Sequence, residues 1–297
     1  MDGILVLDKP SGWTSHDVVA KVRRLTQIKR VGHTGTLDPL ATGVLVLCLG
    51  QATRLVEYLA GHAKRYRATI RLGVETDTYD AQGQTIAQRP VEVSATALRE
   101  SLATFAGAIE QVPPMYSAIK QDGQRLYDLA RKGIEVKRAS RRVTIHSIDL
   151  LDVNLPDITL EVHCSAGTYI RSLAHDLGER LGCGAHLAAL IRTAAGPFTL
   201  AQAVTLAQLE AAVTAGAWPA LLQPLEAALT AFPSIRLSAP DAARARHGQS
   251  LALPEAASLM VEAERIRVYD PAGQLIGVMR LDPSRNELRP EKIFSEQ

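Results

Sequence analysis

The sequence predicts an α+β fold, and three observations predict it. Two short apolar runs, residues 4–7 and 44–49, have the length of covered strands. Two segments, 66–72 and 158–164, alternate apolar and polar residues with the period of a strand that has one face on a core. Helical stripes occur between the strands, but no regular strand–helix–strand repeat links them, which favours α+β over a doubly wound sheet.

Along the chain, residues 4–7 open as a short buried strand. Thr14 and Asp17 form a helix-start capping pair, and Val18, Val19, Val22 and Leu25 continue at helical spacing. The six apolar residues 44–49 suit a strand covered on both faces. In 66–72, Tyr66, Ala68, Ile70 and Leu72 share one face, while Arg67, Thr69 and Arg71 share the other. Ile158, Leu160, Val162 and Cys164 repeat that pattern. After Gly167-Thr168, a helical stripe runs through Ile170, Leu173, Ala174, Leu177 and Leu181. Pro219, Pro224, Pro233 and Pro240 punctuate an alanine-rich stretch, which places a boundary near residue 230 and divides the chain into 1–230 and 231–297. In the tail, 265–269 and 274–279 flank Asp270-Pro271-Ala272-Gly273, a tetrapeptide suited to a type I turn. The tail therefore reads as a small β-rich module.

The chain has 297 residues and a formal net charge of +2. That length fits one large domain and a smaller one. No stretch of about 18 apolar residues occurs, so no membrane helix is expected. The N-terminus carries no basic segment followed by a long apolar run, so no signal peptide is expected. Cys48, Cys164 and Cys183 lie far apart and form no zinc spacing, which fits a reduced, cytoplasmic setting. The distribution of charge says more than its sum. Lys21, Arg23, Arg24, Lys29 and Arg30 occupy a segment without an acid. Lys120, Arg125, Arg131, Lys132, Lys137, Arg138, Arg141 and Arg142 outnumber Asp122, Asp128 and Glu135 in a second segment. Each reads either as a phosphate-neutralising patch or as an ordinary solvated helix face.

The most informative stretch is Gly32-His33-Thr34-Gly35-Thr36-Leu37-Asp38-Pro39-Leu40-Ala41-Thr42-Gly43, directly ahead of the buried run. Gly32, Gly35 and Gly43 permit unusual backbone conformations or close approach by a ligand. Asp38 precedes a proline, which pushes its backbone toward the extended region. Two readings of the loop stand: a stiffly held nucleophilic carboxylate, or an aspartate that caps a turn. The loop lacks the Gly-x-x-x-x-Gly-Lys-Ser/Thr phosphate cradle, and neither His-Glu-x-x-His nor Gly-x-Ser-x-Gly occurs in the chain.

This stretch, from Gly32 to Pro39 and on through Ala41-Thr42-Gly43-Val44-Leu45, resembles the signature of the TruB-type tRNA pseudouridine synthases. So do Lys9-Pro10-Ser11-Gly12-Trp13-Thr14-Ser15, Lys64-Arg65-Tyr66 and Thr76-Asp77-Thr78-Tyr79-Asp80, in the same order. The resemblance continues through residues 112–120 and Gly167-Thr168-Tyr169-Ile170-Arg171-Ser172-Leu173, and the tail is similar to an RNA-binding PUA module. The resemblance implies a mixed, mostly antiparallel sheet flanked by helices, with a PUA-like C-terminal domain. It implies an isomerase that breaks the N1–C1′ bond of uridine 55 in the T arm of tRNA and rejoins the base through C5. No atoms are gained or lost, so neither a cofactor nor a metal is expected.

The resemblance also implies roles. Asp38 matches the family's essential aspartate and Arg171 its active-site arginine, which by position alone reads as a solvated residue on a first helical turn. Tyr66 becomes a platform under the target uracil and a candidate proton-transfer group, although a structural tyrosine would share its inward direction. Tyr169 and Leu190 map onto the base pocket. His33 maps onto a histidine that fills the space left when the RNA loop opens. Ile191 departs from the family's frequent Leu-Arg-Arg, so a phosphate or structural contact there is in question. The target base must be extruded from its stack, at a cost of a few kcal/mol. The basic segments would position the RNA backbone. The expected partner is the tRNA T arm, with no membrane, no obligatory protein partner and a monomeric chain. Two alternatives stand beside the enzyme: an RNA-binding chaperone that refolds tRNA without catalysis, and a guide-RNA-dependent relative that needs protein partners, against which the compact ending argues.

Overall fold

The computed structural model describes all residues except 118–119, 122, 131–132, 135, 254–263 and 295–297. Arg131 and Lys132 of the second basic segment, with Asp122 and Glu135, thus lie outside the described residues.

Nine strands build the large sheet: β1 (Gly3–Lys9), β2 (Val31–His33), β3 (Thr42–Leu49), β4 (Lys64–Leu72), β7 (Gly107–Gln111), β10 (Arg141–Asn154), β11 (Asp157–Cys164), β12 (Ala185–Ala195) and β13 (Phe198–Thr199). Their order is β1-β3-β12-β4-β11-β10-β7, with β2 against β3 and β13 against β12. Each pairing is antiparallel except the short β3–β12 junction, where Thr42 faces Ile191 and Gly43 faces Arg192. Two ribbons stand apart: β5 (Val74–Thr76) with β6 (Thr85–Gln88), and β8 (Lys120–Gln121) with β9 (Gln124–Arg125). A five-stranded sheet near the C-terminus has the order β14-β16-β17-β18-β15, from β14 (Ser234–Arg236), β15 (Leu251–Ala252), β16 (Arg265–Tyr269), β17 (Leu275–Asp282) and β18 (Glu287–Ile293). The helices are α1 (Ser15–Thr26), α2 (Val56–Ala60), α3 (Ala95–Ala103), α4 (Leu126–Ala130), α5 (Ile170–Leu181), α6 (Leu206–Thr214) and α7 (Ala239–Arg246). None among the described residues is long and apolar enough to cross a membrane. The fold is the α+β arrangement expected, with a mostly antiparallel sheet and a β-rich end.

Local chemistry accounts for the elements that carry the site. Thr14 and Asp17 close a capping box at the start of α1, and Val18, Val19 and Val22 are buried on its inner face. β3 is apolar from Val44 to Leu49, and both its faces are covered there. Val44, Val46 and Cys48 join one core cluster, and Leu45, Leu47 and Leu49 join another with α1. Burying such a side chain contributes roughly 1.5–3 kcal/mol. β4 and β11 alternate as predicted. Tyr66, Ala68, Ile70 and Leu72 enter the core shared with α3 and α5, while Arg71 on the outer face makes a two-pronged pair with Asp157 at 2.8 and 2.7 Å. At the far end, the Gly273 N–H donates to the Asp270 carbonyl and Gly273 has φ +87°, closing the predicted turn between β16 and β17. Val278 and Phe294 pack into the cluster formed by β1 and β3, so the two sheets share a core surface.

Candidate active site

The loop ahead of β3 is clamped from the N-terminal segment. The Ser15 hydroxyl accepts from the Leu37 N–H at 2.9 Å and lies 3.2 Å from the Leu37 carbonyl. The Gly12 N–H donates to the Pro39 carbonyl at 2.8 Å. Lys9, 0% exposed, spends its ammonium on the carbonyls of Pro10, Trp13 and Pro39. Leu37 is thereby anchored in the main core, and Asp38 follows it out of that anchor. The Ala41 N–H donates to the Asp38 carbonyl at 3.1 Å, so Asp38 does open a proline-containing turn. The turn uses its backbone and leaves its carboxylate available. Of the three loop glycines, only Gly43 has a positive φ, +97°, and a Cβ there would lie 2.3 Å from the Arg192 carbonyl. Gly32 and Gly35 adopt ordinary backbone conformations, and a Cβ on either would meet only ordinary contacts.

Arg171 meets the Asp38 carboxylate with two nitrogens. Its Nη2 donates to Oδ1 at 3.0 Å, and its Nε lies 2.9 Å from Oδ2. The rest of the guanidinium is committed to the Tyr116 carbonyl at 2.8 Å, the Thr78 carbonyl at 3.3 Å and the Asp80 carboxylate at 3.6 Å. Asp80 is in turn fixed by the Thr78 hydroxyl and the Gln82 N–H. The solvated-arginine reading of Arg171 is therefore wrong: the side chain is 5% exposed because α5 turns its first residues into the core. Burial pushes the Asp38 carboxyl above its ordinary range; Arg171 pulls it back, Asp80 adds to the push and Lys9 opposes it. The Asp38 side chain keeps 38% of its exposure. The arrangement thus presents a carboxylate gripped along one side and open along another, which can attack carbon or take a proton.

Tyr66 and Leu190 lie in the same core cluster as Leu37 and Ile170. Burial holds the Tyr66 phenol above its ordinary value. Tyr169 precedes α5, with its backbone N–H and carbonyl both bound by the Gln111 amide at 2.7 and 2.9 Å. Burial raises the pKa of its phenol above the ordinary value. His33 stands apart from the pair, at the end of β2, edge-on to His16 with ring centroids 5.5 Å apart. Its Nδ1 is enclosed without a partner, and burial, His16 and Arg192 hold its pKa below the ordinary value. Ile191 pairs with Arg67 and Thr42 and is partly exposed, out of step with the buried Leu190 and Arg192 on either side of it. The unusual residue at 191 is therefore turned away from the Asp38 side of the strand.

Sequence reasoning missed the enclosure of charge around this pocket. Asp80, Lys9, Lys64 and Arg192 were visible only as members of motifs, Arg192 as the end of Leu190-Ile191-Arg192, with no role assigned to it. Yet Arg192 follows Leu190 by two, which puts it on the buried face of β12. That spacing was the available signal. Lys64, 7% exposed, donates to the Ala60 and His62 carbonyls at 2.5 and 2.6 Å. Burial lowers Lys9 and Lys64 to about 8 each, and Arg192 contributes to both shifts.

Comparison with known proteins falls on the same residues. Residues 23–170 match the TruB family pseudouridylate synthase N-terminal domain, which contains Asp38, Tyr66 and Tyr169. Residues 171–230 match the tRNA pseudouridylate synthase B C-terminal domain, and 233–294 match the pseudouridine synthase II TruB C-terminal region. The chain is 50% identical to a tRNA pseudouridine synthase B of Burkholderia pseudomallei (strain 668) over 295 residues, covering 99% of this chain and 97% of that protein. It is 49% identical to the protein of that name in Ralstonia nicotianae, covering 98% and 93%. Among solved structures it is similar to a chain of a Cbf5–Nop10–Gar1 complex, with a TM-score of 0.75 and 26% identity over 99% of this chain and 85% of that one. A chain of an H/ACA ribonucleoprotein bound to a substrate RNA containing 2′-deoxyuridine matches with the same TM-score at 25% identity, again over 99% and 85%. With a paired aspartate and arginine at the positions its motifs mark, and matches that run from end to end, the chain belongs to the TruB family of pseudouridine synthases.

Proposed function

We propose that this protein converts uridine 55 in the T arm of tRNA to pseudouridine, with Asp38 as the reacting carboxylate. The observation that carries the reading is the Asp38–Arg171 pair, in which the arginine's charge opposes the effect of burial on a carboxylate that stays partly open. In the proposed reaction the extruded nucleotide enters beside Asp38, with its uracil over Tyr66 and against Tyr169 and Leu190. The N1–C1′ bond breaks, C5 bonds to C1′, the C5 proton leaves and N1 gains one. Atoms therefore balance without an oxidant or co-reactant. Arg171 is suited to hold Asp38 ionised and aimed, and Asp80 to hold Arg171. His33 would fill the opened RNA loop. Residues 1–230 would carry this chemistry and 231–297 would extend the RNA contact, as a monomer acting without a protein partner in the cytoplasm.

The test is mass spectrometry of an unmodified tRNA after incubation with the protein and with Asp38→Asn. The parent is expected to alter one T-arm uridine, and Asp38→Asn to bind the tRNA but alter none. A parent that binds and refolds tRNA without altering it would establish the chaperone reading instead.

A further inference from the structure

Gln111 is the last residue of β7 and is 2% exposed, on a strand whose other residues stand partly or fully in solvent. A buried primary amide has to place a donor and an acceptor at once. In Gln111 both go to one residue. Its Nε2 donates to the Tyr169 carbonyl at 2.9 Å, and its Oε1 accepts from the Tyr169 N–H at 2.7 Å. Only this orientation of the amide serves both, since the reverse sets donor on donor and acceptor on acceptor. Tyr169 is the N-cap of α5, with extended backbone (φ −100°, ψ 108°) and no side-chain cap of its own. Its carbonyl also accepts from the Leu173 N–H at 3.1 Å, which closes the first turn of that helix. Gln111 thus grips the peptide edge from which α5 starts. Beyond it, the Ser172 hydroxyl donates to the Val112 carbonyl at 2.8 Å, and Arg171 Nη2 to the Tyr116 carbonyl at 2.8 Å. Residues 111–116 are therefore laced to 169–172, with Gln111 as the link to Tyr169.

We propose that Gln111 is a positioning residue for the isomerisation: by holding both edges of the Tyr169 backbone, its amide fixes where Tyr169 stands and how the first turn of α5 presents Arg171 to Asp38. This rests on the reading that the pocket receives the uridine. Tyr169 and Arg171 belong to the same helical turn, so a backbone displaced at 169 moves both. The anchor is remote in sequence, 58 residues away, and Gln111 is itself paired opposite Arg141 of β10. The start of α5 is thereby referred to the edge of the large sheet. The chemistry is restrictive. The Tyr169 N–H has no other partner among the described residues. A methionine of similar length offers neither the donor nor the acceptor. An asparagine offers both but is one methylene short, so it cannot reach both edges from the same backbone position.

The experiment labels the protein with fluorotyrosine, assigns the residue-169 signal by its loss in Tyr169→Phe, and compares the parent with Gln111→Met and Gln111→Asn by fluorine NMR. In Gln111→Met the residue-169 signal is expected to shift or broaden, while those of Tyr58 on α2 and Tyr269 on β16 stay in place. With ordinary tyrosine, Gln111→Met is expected to lower single-turnover conversion of a T-arm stem-loop on the order of 10–10²-fold. RNA affinity should stay within about threefold, since backbone contacts elsewhere set it. Gln111→Asn should fall between the two in rate, and it carries the test if the methionine variant does not fold. An unmoved residue-169 signal or an unchanged rate would overturn the proposal. So would rate, affinity and melting temperature falling together with every tyrosine signal displaced, the mark of a merely structural role. A parent that leaves the stem-loop unaltered refutes the isomerase reading instead, and the fluorine spectrum still reports whether Gln111 holds Tyr169.

Discussion

The Asp38 pocket and the C-terminal sheet use the same ionic side chains under opposite solvation. Around Asp38, Arg171 and Asp80 are 5% and 6% exposed, and the guanidinium is shared among Asp38, Asp80 and the Thr78 and Tyr116 carbonyls. In the C-terminal region the pairs are more open: Arg280 and Glu264 at 51% and 58% exposure, Arg244 and Asp241 on α7 at 50% and 39%, and Arg246 and Asp270 at 27% and 10%. The stability of that sheet comes from an apolar core that includes Ile235, Ile266, Val268 and Leu288. Exposed pairs contribute about 0–1 kcal/mol, whereas stripping one partner from a buried pair costs about 3–5 kcal/mol. The large sheet therefore tolerates a centre that an apolar core would better stabilise, and the plausible return for that cost is reactivity.

The largest test of this contrast is Arg171→Met. It leaves Asp80 buried without its cation and Asp38 without its grip. Urea unfolding should show a loss of about 3–5 kcal/mol, and single-turnover conversion should fall on the order of 10²–10³-fold. A loss no greater than that of an exposed pair would erase the distinction between the two regions.

Lys64 sharpens it through pH. Its ordinary value of 10.5 is lowered to about 8 in the fold, chiefly by burial. Between about 8 and 10.5 the unfolded chain binds the extra proton, so this lysine contributes stability that is present above 10.5 and lost as pH falls through about 8. The free energy of unfolding measured across that window should rise more steeply with pH in the parent than in Lys64→Met. Equal slopes would mean that Lys64 is solvated like an exposed residue.

A smaller effect divides the first basic segment. Lys21 pairs with Glu210, and Arg23 donates to the Val31 carbonyl at 2.7 Å. Lys29 is exposed and makes no side-chain hydrogen bond or ion pair among the described residues. Lys29→Ala should reduce the salt dependence of RNA binding by about 0.7–1 in the log–log slope, as expected for one phosphate contact, while Lys21→Ala should leave it nearly unchanged. Identical slopes would show that the protein's own pairing does not decide which cations reach the RNA. The smallest effect belongs to Arg280→Ala, which should change unfolding stability by about 0.5 kcal/mol or less; a loss near that of Arg171→Met would make burial irrelevant.

Several parts of this structure were legible early because their signals are local. Alternation in 66–72 and 158–164 identifies β4 and β11, the Thr14–Asp17 box starts α1, and Asp270-Pro271-Ala272-Gly273 turns the C-terminal hairpin. Asp38 became conspicuous through the ordered set of motifs around it, since its Asp-Pro turn alone has a structural explanation that the fold also satisfies. Arg171 is marked by its motif and not by its position, since a first helical turn is usually solvated and it is the approach of the Asp38 loop and Asp80 that encloses it. Gly32, Gly35 and Gly43 all permit unusual backbone conformations or close approach by a ligand, and of the three only Gly43 has a positive φ, because φ is set by the path of the chain and not by the residue.

By itself the sequence determined the periodicities, the caps and turns and the motif order, all of which depend on neighbours within a few residues along the chain. The tertiary structure alone decided which charges are dry. Lys9, Lys64, Asp80 and Arg192 come from four separate segments, and whether a charge meets water or a carbonyl depends on what the rest of the fold lays over it. Desolvation is a property of the enclosing surface, and that surface exists only once β3, β4 and β12 are side by side.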